Sequence, residues 1–228
     1  MNGKPLETEQ DSNQIVVATL EGRPYYKIVS MLKSMNISFT SLSPEEASKT
    51  NAKIIITTKN EASLFTRQDL IYDFQLDTFP PLFKAMLLKN LNGNYFEDIL
   101  VVGVDPGNRI GIYVLYLHTE LYSTVQSSLK DALKFIINIL SCIKSSKKVL
   151  KIGNGDSIKC NHIAQEVKNL NRTVRIEIVN EFGTSRNILP NRRGNRDVGS
   201  AKTIALRTGR IFLERLPCAG TSKYADKL

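Results

Sequence analysis

One carboxylate in this chain stands where a carboxylate is costly. Residues 99–112 read ILVVGVDPGNRIGI, an apolar strand that runs into Asp105, turns through Pro106 and Gly107, and leads into a second strand. A carboxylate at the end of a buried strand loses hydration, so a metal ion, a cation or several hydrogen bonds must compensate it. Asp105 is therefore the first candidate for the chemistry of the protein. The other reactive side chains say less. Cys142, Cys160 and Cys218 are odd in number and have no C-x-x-C spacing, which argues against a disulfide framework or a zinc ribbon and leaves ordinary thiols. His118 and His162 are isolated from any metal-ligand spacing.

Charge is divided unevenly. Residues 1–96 balance ten basic against ten acidic side chains, so the formal net charge of +9 belongs to residues 97–228. Within that half Arg186, Arg192, Arg193, Arg196, Lys202, Arg207 and Arg210 lie close together in sequence, a pattern that suits a polyanionic partner. The apolar runs fall well short of the ~20 residues of a membrane span. The polar start MNGKPLETEQDSNQ lacks the apolar region of a signal peptide and reads as a disordered lead over 1–13. The expected location is cytoplasmic, without membrane contact.

Two α/β halves must position these residues. In the first, taken as a domain over 14–93, strands are expected at 14–20, 37–42 and 52–58. A helix at 24–35 carries Tyr25, Ile28, Val29 and Leu32 at helical spacing. Ser43-Pro44-Glu45-Glu46 supplies an N-cap, a proline at the first helical position and a capping-box glutamate for a short second helix. The sum is a parallel three-stranded unit with right-handed crossovers. It resembles a phosphoacceptor receiver domain in rhythm only. Such a domain needs an acidic pair after its first strand and an aspartate at the end of its third, where this chain has Leu20-Glu21 and Thr57-Thr58. A docking, dimerisation or substrate-positioning module is the expectation.

Pro80-Pro81 opens an apolar helix over 82–91 that stops at Gly93, the expected domain joint. The second half then shows a meander of strands at 99–104, 109–117 and 120–127, joined by turns too short for crossovers. A helix at 131–147, a strand at 149–152, a helix at 158–171, a strand at 174–179 and a helix at 196–208 follow. The order is βββαβαβα in a mixed sheet over 97–213, with a basic tail at 214–228.

An order of this kind, with the first strand ending in Asp, resembles the ribonuclease H-like superfamily, and VGVDPGNRIGIYVL is similar to the opening of RuvC Holliday junction resolvases. Glu181 in VNEFGTS looks like the D-E-R-L-T-S segment of YqgF-group nucleases. Asp197 opens RDVGSAKTIAL, similar to the small-residue helix that carries the last catalytic aspartate in both groups. The resemblance covers about 97–212. It implies a metal-dependent nuclease acting on structured or branched nucleic acid, whether a DNA junction, a duplex or structured RNA. Asp105, Glu181 and Asp197 would be the catalytic and metal-binding residues, holding Mg²⁺ or Mn²⁺ as two ions. Arg186, Arg192, Arg193, Arg196 and Lys202 would contact phosphates, and a homodimer is compatible with this reading.

The sequence also departs from those families. Asn180 replaces an Asp, Phe182-Gly183 replace Arg-Leu, and the strand at 149–152 lacks a glutamate found there in RuvC. Asp156 is a candidate replacement ligand, although Gly155-Asp156-Ser157 also reads as a turn in which Ser157 caps the next helix. Gly153 and Gly155 are expected to leave room for metal, water or phosphate. The alternative function is a catalytically altered module of the same fold that binds nucleic acid or protein without cleavage.

Overall fold

The computed structural model describes residues 14–77, 79–92, 97–182 and 193–213, with only the backbone described at 193–195. The expected lead, the loop containing Arg186 and Arg192, the Gly93 joint and the tail from 214 lie outside the described residues. Two sheets organise the chain. The first runs through β1 (Ile15–Val17), β2 (Thr40–Ser41), β3 (Ile54–Thr57) and β4 (Leu70–Tyr72), in the spatial order β2-β1-β3-β4, with every pairing parallel. Three strands were expected here. β4 adds a fourth, and its sequence, three residues between Asp69 and Asp73, is too short to show a period.

Both faces of this sheet are covered, which is why its strands read as unbroken apolar runs. Ile15, Val17, Ile54 and Ile56 pack on one side with Ile28 and Leu32 of α1 (Gly22–Ser34) and with Phe83 and Leu87 of α3 (Pro80–Asn92). Val16, Ala18 and Ile55 face the other side with Ala47 of α2 (Pro44–Ser48). The capping box forms as expected: Ser43 Oγ accepts from Glu46 N at 3.2 Å while Glu46 Oε2 accepts from Ser43 N at 2.9 Å.

The second sheet has six strands in the order β10-β9-β8-β5-β6-β7. These are β5 (Ile99–Pro106), β6 (Ile110–Tyr116), β7 (Thr119–Gln126), β8 (Lys147–Gly153), β9 (Arg175–Val179) and β10 (Arg210–Ile211). Parallel β8 and β9 beside antiparallel β9 and β10 make it mixed, as expected. The two-residue β10 went unread in the sequence. Its helices are α4 (Leu129–Cys142), α5 (Ser157–Leu170) and α6 (Arg193–Leu206). The first of these ends at Cys142 rather than at residue 147, because Lys147 already belongs to β8.

The chain divides into two compact units. One comprises Met1–Leu100, Leu115–Tyr122 and Asn138–Ser146, the other Val101–Val114, Ser123–Ile137 and Lys147–Leu228. No helix among the described residues is long and apolar enough to cross a membrane.

Candidate functional site

Within the second unit, glycine spacing lets a helix approach the strand that carries Asp105. A Cβ on Gly111 of β6 would collide with the Asp197 carbonyl, and one on Gly103 of β5 would collide with the Ala201 carbonyl and press on Ala205. Only bare backbone admits α6 this closely, and the approach brings Asp197 to the Asp105 turn. The groove there has a volume of about 300 Å³ and is lined by Asp105, Gly107, Asn108, Arg109, Arg196 and Asp197. Arg109 Nε stands 3.5 Å from Asp197 Oδ2.

Asp105 is the perturbed group of this site. Burial, then the charges of Glu181 and Asp197, push its carboxyl up to about 6, against a hydrogen bond from Ser200 and the charge of Arg196. Two further carboxylates thus act on Asp105, with desolvation as the larger cause.

Glu181 reaches this neighbourhood through register. The β8 and β9 pairing sets Gly153 opposite Val179, so the chain after β8 runs beside the chain after β9. Asn154 N donates to Val179 O at 3.1 Å, and Asn154 Oδ1 accepts from Glu181 N at 3.1 Å. Arg207 Nη1 donates to the carbonyls of Asn180 and Phe182, each at 3.0 Å, and fixes the segment from the helix side. The Glu181 carboxylate fills the space that β-carbons on Gly153 and Gly155 would take. That corrects one expectation: the glycines make room for Glu181 itself rather than for metal, water or phosphate. Glu181 Oε1 is buried and has no hydrogen-bond partner, the one acidic oxygen of the site in that state among the described residues.

Asp156 does not join the cluster. It is the N-cap of α5, its Oδ1 accepting from Lys159 N at 3.0 Å and its Oδ2 lying 3.1 Å from Lys159 Nζ. These bonds to the charged form hold its carboxyl below the usual range. The cap is thus Asp156 and not Ser157. Lys159 Nζ also donates to Gly107 O at 2.8 Å and so ties α5 to the Asp105 turn. Of the basic residues, Arg196 lines the groove, Lys202 lies over the Tyr113 ring at 5.5 Å, and Arg207 is engaged with backbone carbonyls. Arg193 is described only as the first residue of α6.

Sequence reading missed Arg109, Ser200, Asn154 and Lys159. The small-residue run Gly199-Ser200-Ala201 was the available signal for a close helix. Among the described residues, no three His, Cys, Asp or Glu side chains are placed so as to hold a metal ion.

The first unit has its own polar cluster, at the carboxyl ends of β1 and β3, where an open parallel sheet of this order forms its crevice. Thr58 Oγ1 stands 2.8 Å from Glu21 Oε1 and 3.0 Å from Glu61 Oε2. Asn60 Nδ2 donates to Glu21 Oε1 at 3.1 Å, and Leu20 N donates to Glu61 Oε1 at 2.8 Å. Every oxygen contact here draws on a neutral donor. Leu20 and Leu64, the residues beside this cluster, are 76% and 57% exposed.

A family model for a response regulator receiver-like domain matches residues 14–75. No curated protein matches the chain. The family match overturns the recognition of the chain as a RuvC/YqgF-like, ribonuclease H-like nuclease, and with it the nuclease function and its non-cleaving variant. The match falls on the segment whose strand-helix rhythm resembles a receiver domain in the sequence. The nuclease resemblance rested on the order of elements, on Asp-Pro-Gly, a turn former in any setting, and on Glu181 after a strand and Asp197 in a small-residue helix, positions that a sheet of this order gathers at one edge.

Proposed function

We propose that the protein is a signalling adaptor. Its receiver-like region works as a protein-docking module without aspartyl phosphorylation, and its six-stranded sheet carries a carboxylate site for a divalent cation. The observation that carries the first part is Thr58. The residue at the carboxyl end of β3 that turns toward the β1 loop is a hydroxyl held between Glu21 and Glu61, so no carboxylate there accepts a phosphoryl group. The exposed Leu20 and Leu64 flank the same edge and offer a partner an apolar contact.

For the second part, Asp105 and Asp197, which line one groove, would hold Mg²⁺ or Mn²⁺, hard cations that take oxygen ligands, with Glu181 as the further acidic group acting on Asp105. The support is the crowding that raises the Asp105 carboxyl and the buried, unpartnered Glu181 Oε1. A bound cation would relieve the repulsion and accept an anionic oxygen of a ligand, with Arg109 and Arg196 on the flank.

Incubation with acetyl phosphate and Mg²⁺, read by intact mass, should leave the wild-type chain unmodified; an acid-stable or acid-labile phosphoryl adduct within 14–75 sinks the docking reading. Capture from extracts of the native organism should recover a protein that Leu64→Asp loses. Titration with Mn²⁺ should raise the melting temperature of wild type saturably and leave Asp105→Asn unmoved. Equal shifts in the two would remove the cation site.

A further inference from the structure

Helix α3 serves both the core of the four-stranded sheet and a cavity. Phe83 and Leu87 enter the core of that sheet. Leu82, Ala85, Met86 and Lys89, at the spacing of neighbours along one helical stripe, line a cavity of about 540 Å³ together with Phe83, and Met86 also packs against the core. Its opposite wall comes from Tyr116 at the end of β6 and from Cys142, Ile143 and Lys144 at the end of α4. All of these residues belong to the first compact unit. The volume falls within the range of small-molecule sites, which are mainly apolar with a few placed polar groups.

The polar groups gather at one side. Lys89 Nζ lies 3.4 Å from Asp98 Oδ2, and the other oxygen of that carboxylate accepts from Tyr116 OH at 2.9 Å. The Asp98 carbonyl accepts from Ser146 Oγ at 2.6 Å, so the carboxylate is fixed at the rim. Lys144 is exposed beside it. Two ammonium groups and one carboxylate leave one positive charge at the mouth of an apolar cavity, and no acidic side chain is among the residues that line it.

We propose that this cavity binds a monoanionic amphiphile, a free medium-chain aliphatic carboxylate. Its chain would lie between α3 and the end of α4, and its head would sit against Lys89 and Lys144. The charge excess selects a single negative head, and the apolar walls select an unbranched chain over a polar anion. This reading is independent of the docking edge and of the carboxylate site, neither of which shares a residue with it.

The test is calorimetric titration of the full chain with laurate, kept below its aggregation concentration, and with dodecyltrimethylammonium, which has the same chain and the opposite head. Laurate should bind saturably with one site, and the cationic amphiphile at least tenfold more weakly. Lys144→Glu, at an exposed position, should weaken laurate at least tenfold with an unchanged melting temperature. Leu82→Trp should block the cavity. Cys142 gives a local readout: in a Cys218→Ser background its thiol is exposed, whereas Cys160 is buried with its pKa raised to about 11 and reacts slowly. Saturating laurate should slow disulfide-reagent labelling of Cys142 severalfold.

Absence of saturable binding overturns the proposal, as does equal affinity for the two head groups or unchanged Cys142 labelling. So does a dimer in sedimentation with Cys142 already protected, which would assign the face to a second copy. Co-sedimentation with anionic phospholipid vesicles in place of laurate binding would assign it to a membrane surface.

Discussion

The carboxylates at the ends of β1 and β3 and those around β5 face opposite electrostatic problems. Glu21 and Glu61 share the hydroxyl of Thr58, the amide of Asn60 and the backbone amide of Leu20. Each charge is met by neutral donors, most of them from the other strand's loop, so the carboxylates are satisfied as they stand. Asp105, Glu181 and Asp197 come together from two strand ends and a helix start, and raise the Asp105 carboxyl rather than satisfy it. The difference teaches where each sheet edge is closed. The carboxylates of the first are satisfied without a ligand, whereas the second keeps a buried carboxylate oxygen, Glu181 Oε1, without a partner.

The largest expected effect breaks the second cluster at its scaffold. Gly111→Ala drives a β-carbon into the Asp197 carbonyl, a backbone collision that side-chain rotation does not relieve. A loss of about 3 kcal/mol is expected, read from the urea midpoint. Retention of wild-type stability would mean that α6 is not seated on β6 as described.

Next comes Asp105→Asn. The folded carboxyl is raised from 3.8 to about 6, so the fold favours the protonated form. That stabilisation is complete below pH 3.8 and is lost as pH rises through 6. Asparagine keeps a neutral side chain throughout. The variant should therefore be more stable than wild type by about 2 kcal/mol at pH 8, allowing for partial solvent screening, and equal to it at pH 3.5. Paired urea titrations at the two pH values read this directly, and a pH-independent difference would contradict the cause assigned to the shift.

Thr58→Asp would give the first cluster the conflict it now lacks. A third carboxylate beside Glu21 and Glu61 should cost about 2 kcal/mol, and millimolar Mg²⁺ should recover much of it while leaving wild type unaffected. A variant as stable as wild type without Mg²⁺ would show that Glu21 and Glu61 do not confine position 58. The smallest effect concerns the neighbouring residue. Thr57 is fully buried, and its hydroxyl has no hydrogen-bond partner, so Thr57→Val should gain up to about 1 kcal/mol. Thermal melts of the adjacent substitutions, one favourable and one costly, would separate a satisfied hydroxyl from an orphaned one.

Much of the fold was legible because its signals are local. The runs IVV and III, the Ser43 capping box and the apolar stripe of α4 depend on residues within about four positions of one another. The two shortest strands, Leu70–Tyr72 and Arg210–Ile211, carry no period and exist because a neighbouring strand offers free backbone groups. At the candidate site, the acids themselves were visible in order. Their partners were not, because Asn154, Lys159 and Arg207 act on residues distant in sequence: Lys159 on Gly107, Arg207 on Asn180 and Phe182. Asp156 shows the reverse case. Its helix-capping use was written locally, three residues before Lys159, yet the turn was assigned to Ser157.

By itself the sequence determined most of the strands and helices, though neither Leu70–Tyr72 nor Arg210–Ile211, and that Asp105 ends a buried strand. Composition and spacing act over a few residues, and these properties need no more. Tertiary structure decided that Glu181 occupies the cradle of Gly153 and Gly155, that α6 rests on Gly103 and Gly111, and that α3 lines a cavity as well as the sheet core. Strand register and close backbone approach are set by the packing of elements far apart in the chain, where a shift of one residue would move each of these groups to another face.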